Sequence, residues 1–345
     1  MRAGEFRYGR AVIAVFGAGA IGCWIGGKLA ASGQDVTLIG RPRIAAQLRD
    51  GLAISDFEAG VARSRPTLAT EPRGAEGASL VLVTVKSAQT AEAGAALAGV
   101  LSRDAVVVSF QNGLGNADIL RAALPNHRVL AAMVPFNVTR KQLEPGSTEM
   151  TYHRASGGIL RVDDDPANAE LLAACARAQL PIEPRADMPA VQWAKLVMNL
   201  NNAINALSGL PLKTELEDRG FRRCLAAAQR EALELLAVAK HPVAKLTAIP
   251  PRWMPRLLRV PDWLFTRLAK KVVAIDPHAR SSMWDDFESK RPTEIDHLQG
   301  EVVALAKRLH RSAPINARLV ELVRTAEAGG KRDFTAVELQ AALGL

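Results

Sequence analysis

The stretch that decides the fold runs from Ala11 to Gly22 and reads AVIAVFGAGAIG. Its first half is an apolar run rich in valine and isoleucine, which predicts a buried strand that ends at Phe16. Its second half has the spacing GxGxxG, and a helical pattern follows from Ile21 to Ala31. In this motif the first glycine allows a tight turn, the second lets the backbone approach a pyrophosphate, and the third lets helix and strand pack closely. The motif therefore predicts a dinucleotide site at the start of a helix, formed by Gly17, Ala18, Gly19, Ala20, Ile21 and Gly22.

The rest of the first half alternates between strand and helix patterns. Short apolar runs at Asp35–Ile39, Ser79–Val85 and Asp104–Ser109 predict strands, and residues 88–101 have a helical pattern. This alternation predicts an α/β domain with a parallel sheet and helices on both of its faces. Turn residues interrupt the stretch from Pro135 to Val162, where we expect a few antiparallel strands that close the sheet.

The second half has a helical pattern from Met188 onward. Apolar residues recur there at helical spacing, beginning with Trp193, Leu196, Val197 and Leu200. We therefore predict a dinucleotide-binding α/β domain over residues 1–185 and an all-α domain over residues 186–345. Segment 249–262 contains four prolines, which predict an irregular crossing between helices.

The end of the second predicted strand indicates which cofactor binds. A site for NAD usually has an Asp or Glu there, which holds the ribose hydroxyls. This chain instead reads LIGRPR over residues 38–43, so no carboxylate repels a 2′-phosphate and Arg41 offers a planar guanidinium that fits one. Arg43 is a second candidate, and either arginine can also be an ordinary loop residue. The pattern favours NADPH over NADH.

Two loops that follow predicted strands carry further polar candidates. Residues 85–90 read VKSAQT and include Lys86 and Gln89, and residues 109–116 read SFQNGLGN and include Asn112. Loops at the carboxyl ends of strands are where open α/β sheets bind ligands. Taken separately, each of these residues is more often a surface or turn residue.

A polar stripe in the predicted helix at residues 192–202 fits the reduction of a ketone. Hydride comes from a nicotinamide, so the protein must supply a proton donor and hydrogen bonds for the negative charge that grows on the oxygen. Lys195, Asn199 and Asn202 follow the spacing i, i+4, i+7 and share one helix face. The alternative is hydrogen bonding between helices by the asparagines and a solvated lysine.

A second polar cluster covers residues 281–297. The cluster begins SSMWDD, which contains Ser282, and ends RPTEIDH. Thr293 or the turn before it can start a helix with Glu294 in its first turn, where an acid interacts favourably with the helix dipole whatever its other role. Glu294 and His297 also have the spacing of a metal-binding pair, but without a second such motif we predict no metal site.

Composition bears on the partners and on the compartment. The formal net charge is +9, which suits either polyanions or an ordinary solvated cationic surface. Aromatic residues make up only 5%, which argues against nucleic-acid binding by stacking. An alternative is a dinucleotide-sensing regulator that binds nucleic acid through the basic stretch from Arg252 to Lys271, where Trp253 and Trp263 interleave with arginines. Three widely spaced cysteines predict free thiols in the reducing cytoplasm: Cys23, Cys175 and Cys224.

Together these motifs resemble the ketopantoate reductase family. In chain order the sequence has GAGAIG, then GRP at residues 40–42, VKSAQT, SFQNGLGN, WAKLVMNL, SSMWDD and RPTEID, and a similar APIN segment follows from Ala313 to Asn316. The resemblance spans nearly the whole chain. It implies a Rossmann domain followed by a helical domain of the 6-phosphogluconate-dehydrogenase type, with the active site in the cleft between them.

The resemblance also implies a role for each candidate residue. Lys195 is the general acid that protonates the new alkoxide, and Glu294 orients the substrate or hydrogen-bonds to it. The other implied contacts are Ser282 and Asn199 to the substrate carboxylate and hydroxyl, Asn112 to cofactor and substrate, Lys86 and Gln89 to the nicotinamide half, and Arg41 to the 2′-phosphate.

Two departures from the family pattern widen the choice of substrate. Family members commonly have a second asparagine four residues after Asn199, but this chain has Ala203, and Asn202 or Asn205 can take its place. The stretch from Leu212 to Arg280 is also longer and more basic than a minimal member needs. We therefore expect NADPH-dependent reduction of 2-dehydropantoate to pantoate, which leads to pantothenate and coenzyme A, with another small 2-oxo acid as the alternative substrate. We expect neither nucleic acid nor membrane as a partner, and the oligomeric state stays open, a homodimer included.

Overall fold

The described residues of the chain form two compact units. The structure is a computed structural model, and it describes residues 12–56, 60–142, 150–269 and 279–345. The first unit contains the described residues up to Gln111 together with Gly115–Ala186, and the second contains Asn112–Leu114 together with Asp187–Leu345. Ala11 of the first predicted strand, and Lys270 and Lys271 of the basic stretch, lie outside the described residues.

Two sheets are seen in the described part of the first unit. In chain order the strands are β1 (Val12–Phe16), β2 (Asp35–Ile39), β3 (Leu52–Asp56), β4 (Ala62–Ser64), β5 (Thr67–Ala69), β6 (Leu80–Val83), β7 (Val106–Ser109), β8 (Arg128–Met133), β9 (Val138–Gln142), β10 (Met150–Arg154), β11 (Leu160–Asp163) and β12 (Ile182–Arg185). The larger sheet has the order β12-β11-β8-β7-β6-β1-β2-β5. β1 pairs in parallel with β2 and β6, and β7 pairs in parallel with β6 and β8. The carboxyl ends of these strands therefore lie at one edge, and the candidate cofactor residues follow them in the chain.

The stretch from Pro135 to Val162 does not simply close the main sheet, as the sequence predicted. Of the strands described in this stretch, only β11 joins that sheet, antiparallel to β8. β9 and β10 instead pair with each other in a smaller sheet of order β4-β3-β10-β9. The physical reason is the unpredicted antiparallel pair β3–β4, because β3 offers an open edge on which β10 pairs in parallel, with Thr151 opposite Ala53. The predicted turn at residues 145–147 lies outside the described residues.

Five α-helices are described in the first unit. They are α1 (Ala20–Ala31), α2 (Pro42–Leu48), α3 (Thr90–Ala98), α4 (Asn116–Ala123) and α5 (Ala169–Arg177). Helix α1 packs on both sheets, because Trp24 is buried in the core of the unit and its indole nitrogen donates to the carbonyl oxygen of Ser55 in β3 at 3.1 Å. The core beneath it contains apolar residues from neighbouring strands of the main sheet, namely Ile13, Val15, Leu38, Leu80 and Leu82.

All the regular secondary structure among the described residues of the second unit is helical. Its α-helices are α6 (Met188–Asn199), α7 (Asn201–Ser208), α8 (Leu212–Glu217), α9 (Arg219–Val238), α10 (Met254–Leu257), α11 (Asp262–Ala269), α12 (Ser282–Glu288), α13 (Gln299–Arg308), α14 (Pro314–Glu327) and α15 (Ala336–Leu343). An α/β unit followed by a helical unit confirms the predicted fold class. None of the described helices combines the length and the apolar character that a membrane crossing requires.

Candidate active site

The turn between β1 and α1 has the backbone that the GxGxxG motif requires. Gly17 has φ +120°, and a Cβ there would lie 2.7 Å from the backbone nitrogen of Val85. A Cβ at Gly22 would lie 2.1 Å from the carbonyl oxygen of Gly17. At Gly19, by contrast, no described heavy atom lies within 4 Å of the position of a Cβ. The outer glycines are therefore required by packing, and the middle glycine keeps the backbone open to a ligand.

Neighbouring strands hold this turn in place. The backbone N–H groups of Gly17 and Ala18 both donate to the carbonyl oxygen of Ile39, each at 3.0 Å. The hydroxyl of Thr84, directly after β6, donates to the carbonyl oxygen of Gly17 at 2.7 Å. Among the described residues no side chain caps the N-terminus of α1, whose N-cap residue is Gly19. The N–H groups of its first turn are therefore directed at the open space beside Gly19, and they fit the pyrophosphate of a dinucleotide.

Arg41, the residue that the sequence analysis predicted to contact a 2′-phosphate, is separated from the end of β2 only by Gly40. It is the N-cap residue of α2, with extended backbone, and Pro42 is the first residue of that helix. Both Arg41 and Arg43 are exposed. The first turn of α2 has no acidic residue, so an anion near Arg41 meets no carboxylate from that turn. These features are compatible with a phosphate ligand at Arg41.

A buried polar network supports the loop that carries Lys86 and Gln89. The side-chain amide of Gln111 donates to the carbonyl oxygen of Val85 at 3.1 Å and to the hydroxyl of Thr90 at 2.7 Å. The Thr90 hydroxyl in turn lies 2.7 Å from Oδ1 of Asn116. Lys86 and Gln89 themselves are half-buried.

The residues that form this network, Thr90, Gln111 and Asn116, lie within the motifs VKSAQT and SFQNGLGN, but a supporting role for them was not predicted. The available signal was the pattern of polar residues in loops that directly follow two apolar strands. Of the loop that follows β7, Gln111 belongs to the network of the first unit, whereas the half-buried Asn112 is grouped with the second unit. The predicted helix over residues 88–101 begins only at Thr90, after a 3₁₀ turn at Ser87–Gln89.

In the second unit, Lys195, Asn199 and Asn202 lie along one partly exposed stripe. All three are half-buried, whereas the neighbouring residues Leu196 and Ala203 are buried. The helix is not continuous, because α6 ends at Asn199 and α7 begins at Asn201. The stripe nevertheless persists, because the intervening Leu200 keeps right-handed helical backbone angles. The structure therefore brings the three predicted residues together on one side of this helix pair.

Two buried glutamines bond to the backbone around the break between α6 and α7. Gln229 on α9 donates its amide to the carbonyl oxygen of Val197 at 3.2 Å. Gln299 at the start of α13 donates to the carbonyl oxygen of Leu200 at 2.8 Å. These donors satisfy buried carbonyls at the helix junction, which stabilises the break. Sequence reasoning missed both glutamines because their partners are distant along the chain.

The environment of Lys195 changes its acidity. Loss of hydration around its partly buried side chain lowers the pKa of the Lys195 ammonium to about 8. At neutral pH such a group is about ten-to-one protonated, and it loses its proton more readily than an ordinary lysine. Lys195 therefore has the protonation state and the acidity that a general acid needs near pH 7.

Ser282 lies at the start of α12, next to the polar stripe. The preceding residue, Ser281, is the N-cap residue, and its hydroxyl accepts from the backbone nitrogen of Trp284 at 3.2 Å. The same hydroxyl donates to the carbonyl oxygen of Asn202 at 3.2 Å. Ser282 itself is exposed. The start of α12 is thereby bonded to α7 at one of the predicted substrate-binding asparagines.

Asn205 does not lie on this stripe, contrary to the suggestion that it can replace the asparagine missing at Ala203. Asn205 is 0% exposed, and its side chain bonds to the backbone of Leu210 and Ser281 and to the carboxyl of Glu215. Its hydrogen-bonding groups are therefore used inside the unit. Asn202 is the remaining candidate for that role.

Glu294 is half-buried and precedes a 3₁₀ turn at Ile295–His297, so it does not lie in the first turn of an α-helix as predicted. The α-helix α13 begins only at Gln299, because the intervening backbone bonds locally: Thr293 Oγ1 accepts from the nitrogen of Ile295 at 3.3 Å. Gln299 connects this segment to Leu200, beside Asn199. Across the described residues, no group of three or more His, Cys, Asp or Glu side chains is arranged to hold a metal ion.

The basic segment after α9 is attached to the second unit by a buried arginine. Arg222 is 0% exposed and donates to the carbonyl oxygens of Leu258 and Val260 at 3.1 and 2.8 Å. Trp253 and Trp263 are 45% and 69% exposed. The backbone of the segment is therefore held in place, while both tryptophans lie at the surface.

The fold and these residues define a class of protein. The first unit has a parallel sheet with an open glycine turn after its first strand, and the helical unit has a lysine, Lys195, with a lowered pKa. Together these features are typical of a dinucleotide-binding oxidoreductase. Comparison with known proteins defines the family. The model of ketopantoate reductase PanE/ApbA matches residues 13–160, and the model of its C-terminal domain matches residues 187–327. The chain belongs to the ketopantoate reductase family.

Individual relatives extend over nearly the whole chain. A 2-dehydropantoate 2-reductase from Pyrococcus horikoshii is 30% identical over 92% of this chain and 98% of its own length. The crystal structure of a PanE/ApbA family ketopantoate reductase from Ralstonia eutropha JMP134 is 29% identical, with a TM-score of 0.76 over 92% of this chain and 98% of that chain. A D-mandelate dehydrogenase, solved with NADH and anilino(oxo)acetate, is 19% identical with a TM-score of 0.73 over 92% of this chain and 98% of that one, and shares the fold.

Proposed function

We propose that this oxidoreductase catalyses the NADPH-dependent reduction of 2-dehydropantoate to pantoate, with Lys195 as the general acid. The observation that carries the proposal is the half-buried Lys195, whose pKa is lowered to about 8 and which shares its stripe with Asn199 and Asn202. Membership of the ketopantoate reductase family supports the choice of substrate. The product would enter the synthesis of pantothenate and coenzyme A.

The first unit has the residues to bind the cofactor. Its glycine turn would hold the pyrophosphate through the N–H groups of the first turn of α1, because Gly19 leaves the backbone open. Arg41 would form a bidentate contact with the 2′-phosphate. Lys86, Gln89 and Asn112 would border the nicotinamide half. Bound NADPH supplies the hydride that reduces the keto carbon.

The second unit has the residues to manage the charge and the proton. As the carbonyl oxygen gains negative charge, the Lys195 ammonium stabilises it and then transfers a proton to it, which leaves a neutral amine. Asn199, Asn202 and the Ser282 hydroxyl would hydrogen-bond to the substrate carboxylate and hydroxyl. Glu294 would accept a hydrogen bond from the substrate and so orient it.

A second candidate is the reduction of another small 2-oxo acid by the same residues. The observation that favours it is the small number of amides on the stripe. Ala203 has no amide and is fully buried, and the amide of Asn205 is bonded inside the unit. The stripe therefore presents the amides of Asn199 and Asn202, a pair that other 2-oxo acids can use equally well. Both candidates require the same general acid.

The test is a steady-state assay of the purified protein that follows the near-ultraviolet absorbance of NADPH. Rapid oxidation with 2-dehydropantoate, and slow oxidation with a panel of other 2-oxo acids or with NADH, is the expected result. Faster turnover of another 2-oxo acid would establish the second candidate instead. Lys195→Ala should abolish turnover and keep the Kd for NADPH, whereas a fully active variant would refute the role of Lys195. A homodimer and a cytoplasmic location stay predictions, which light scattering and cell fractionation test.

A further inference from the structure

A buried polar network lies beneath Ser282, in a part of the second unit that the proposed chemistry does not use. Asn205 on α7, Glu215 on α8 and Ser281 at the start of α12 are each 0% exposed. Most polar side chains this deeply buried have at least one hydrogen-bond partner, and each of these three has one. Three separate helical elements therefore meet at one polar site in the interior.

The bonds of Asn205 connect these elements in a defined order. Its amide nitrogen donates to Oε2 of Glu215 at 2.6 Å and to the carbonyl oxygen of Leu210 at 2.9 Å. Its Oδ1 accepts from the backbone nitrogen of Ser281 at 2.9 Å. The reverse orientation of the amide would place two donors face to face, so these three partners determine how the side chain is oriented.

The network continues to the candidate substrate-binding residues. Ser281 bonds to Asn205 through its backbone nitrogen and to the carbonyl oxygen of Asn202 through its hydroxyl, at 3.2 Å. Ser282, the next residue, is exposed. The start of α12, where Ser282 follows Ser281, is therefore held against α7 by Asn205 and Ser281 together.

We infer that Asn205, held by Glu215, is a positioning residue that places the Ser282 hydroxyl beside Asn202, so that both side chains bind the carboxylate of a 2-oxo acid. The inference rests on the proposed function, because that function assigns Ser282 and Asn202 to the substrate. Neither Asn205 nor Glu215 touches the substrate, since both are fully buried. Loss of one hydrogen bond to a charged carboxylate weakens binding by roughly tenfold or more, so a displaced Ser282 hydroxyl has a measurable effect on the KM for the acid.

The state of Glu215 predicts which replacement is tolerated. Burial raises the pKa of its carboxyl to about 8. The hydrogen bond from Asn205 lowers this pKa, but its effect is smaller than that of burial. At neutral pH the group is therefore largely uncharged. Glu215→Gln, which has the same shape and can accept the same bond, should keep the wild-type KM, whereas Glu215→Ala should not.

The chain offers a matched control in Asn316. This residue is also 0% exposed, and its amide nitrogen also donates to one backbone carbonyl, that of Ala228, and to one glutamate, Glu231. Asn316→Ala should therefore lower the Tm about as much as Asn205→Ala does. No bond between Asn316 and Ser281 or Asn202 is found among the described residues.

The experiment measures kcat, the KM for the acid, the KM for NADPH and the Tm for each variant. Asn205→Ala should raise the KM for the acid about tenfold and leave kcat and the KM for NADPH within about twofold. Asn316→Ala should change the Tm only. The double variant with Ser282→Ala should have the KM of Ser282→Ala alone, because Asn205 acts through Ser282. The inference is overturned if the effects of Asn205→Ala and Ser282→Ala on the KM for the acid multiply in the double variant. It is also overturned if Asn316→Ala raises this KM as much as Asn205→Ala does.

Two further variants keep the test decisive if Asn205→Ala does not fold. Ser281→Ala removes both bonds of the hydroxyl, to Asn202 and to the nitrogen of Trp284, and leaves the pair of Asn205 and Glu215 intact. It should raise the KM for the acid, whereas Ser281→Thr keeps the hydroxyl and should have the wild-type KM. An unchanged KM in Ser281→Ala overturns the inference. A further outcome is that the wild-type protein reduces a different 2-oxo acid and the variants show the same pattern of KM changes for that acid. In that case the proposed substrate is wrong and the positioning role stands. If the wild-type protein binds no 2-oxo acid, both are wrong.

Discussion

Two glycines of the same turn should respond differently to the same added methyl group. At Gly22 a Cβ would lie 2.1 Å from the carbonyl oxygen of Gly17 and 2.5 Å from the hydroxyl oxygen of Thr84. The first of these atoms belongs to the backbone, so the turn itself must shift. Overpacking of this kind costs about 1–3 kcal/mol. At about 2–4 °C per kcal/mol for a unit of this size, Gly22→Ala should lower the Tm by about 2–12 °C.

Gly19→Ala should have the opposite profile. No described heavy atom lies within 4 Å of the added Cβ, and Gly19 has φ −81° and ψ −170°, which any residue adopts. As an N-cap replacement it should cost only about 0.5 kcal/mol. The methyl group instead occupies the space that a pyrophosphate approaches. We expect the Kd for NADPH to rise at least about tenfold, or about 1.4 kcal/mol.

The assay pairs thermal unfolding with fluorescence titration of NADPH for both variants. Gly99→Ala is the matched control, because its Cβ also meets no described heavy atom within 4 Å and its φ is −91°. That control should change neither the Tm nor the Kd appreciably. The reasoning is refuted if Gly19→Ala binds NADPH as tightly as wild type, or if Gly22→Ala unfolds at the wild-type temperature.

Three further outcomes are expected. The kcat/KM for keto reduction should be constant below pH 8 and fall about tenfold per unit above it, because the pKa of Lys195 is lowered to about 8 and only its ammonium form donates; a pH profile that is flat to pH 10 contradicts this. Arg41→Ala should raise the KM for NADPH about tenfold or more and change the KM for NADH little. Arg49, at the C-terminal end of the same helix α2, is also exposed, and Arg49→Ala should change neither KM. Gln299→Leu should lower the free energy of unfolding in urea by about 1–3 kcal/mol, because the buried carbonyl of Leu200 loses its donor; an unchanged midpoint would show that the bond contributes nothing.

The fold of the first unit was predictable because its signals are local. The run from Ala11 to Gly22 contains a strand, a turn and the start of a helix in immediate succession, so neighbouring residues determine all three. The smaller sheet was not predictable in the same way. Its strand β10 pairs with β3, nearly a hundred residues earlier, and both strands are short. Their pairing depends on contacts between residues that are distant in the sequence, and the local pattern of residues carries no information on those contacts.

The candidate site shows the same division. Helical spacing alone placed Lys195, Asn199 and Asn202 on one face, and the structure has them there. The break after Asn199 was missed, because it is stabilised by Gln229 and Gln299 from two distant helices. The acidity of Lys195 was equally out of reach, since it depends on how much water the packed unit removes from the ammonium group.

The asparagine-rich run from 199 to 205 shows how burial separates structural amides from those available to a ligand. Asn205 is fully buried and must bond inside the protein, whereas Asn199 and Asn202 are half-buried. Helical periodicity alone does not separate them, because Asn205 follows Asn202 by three residues and lies roughly 60° round the helix from it. The difference comes from packing, since Glu215 of α8 and Ser281 at the start of α12 bond to Asn205. With Ala203 in place of a further amide, a substrate held here depends more strongly on Ser282. A change in the network beneath Ser282 should therefore affect the affinity for the acid before it affects the chemistry at Lys195.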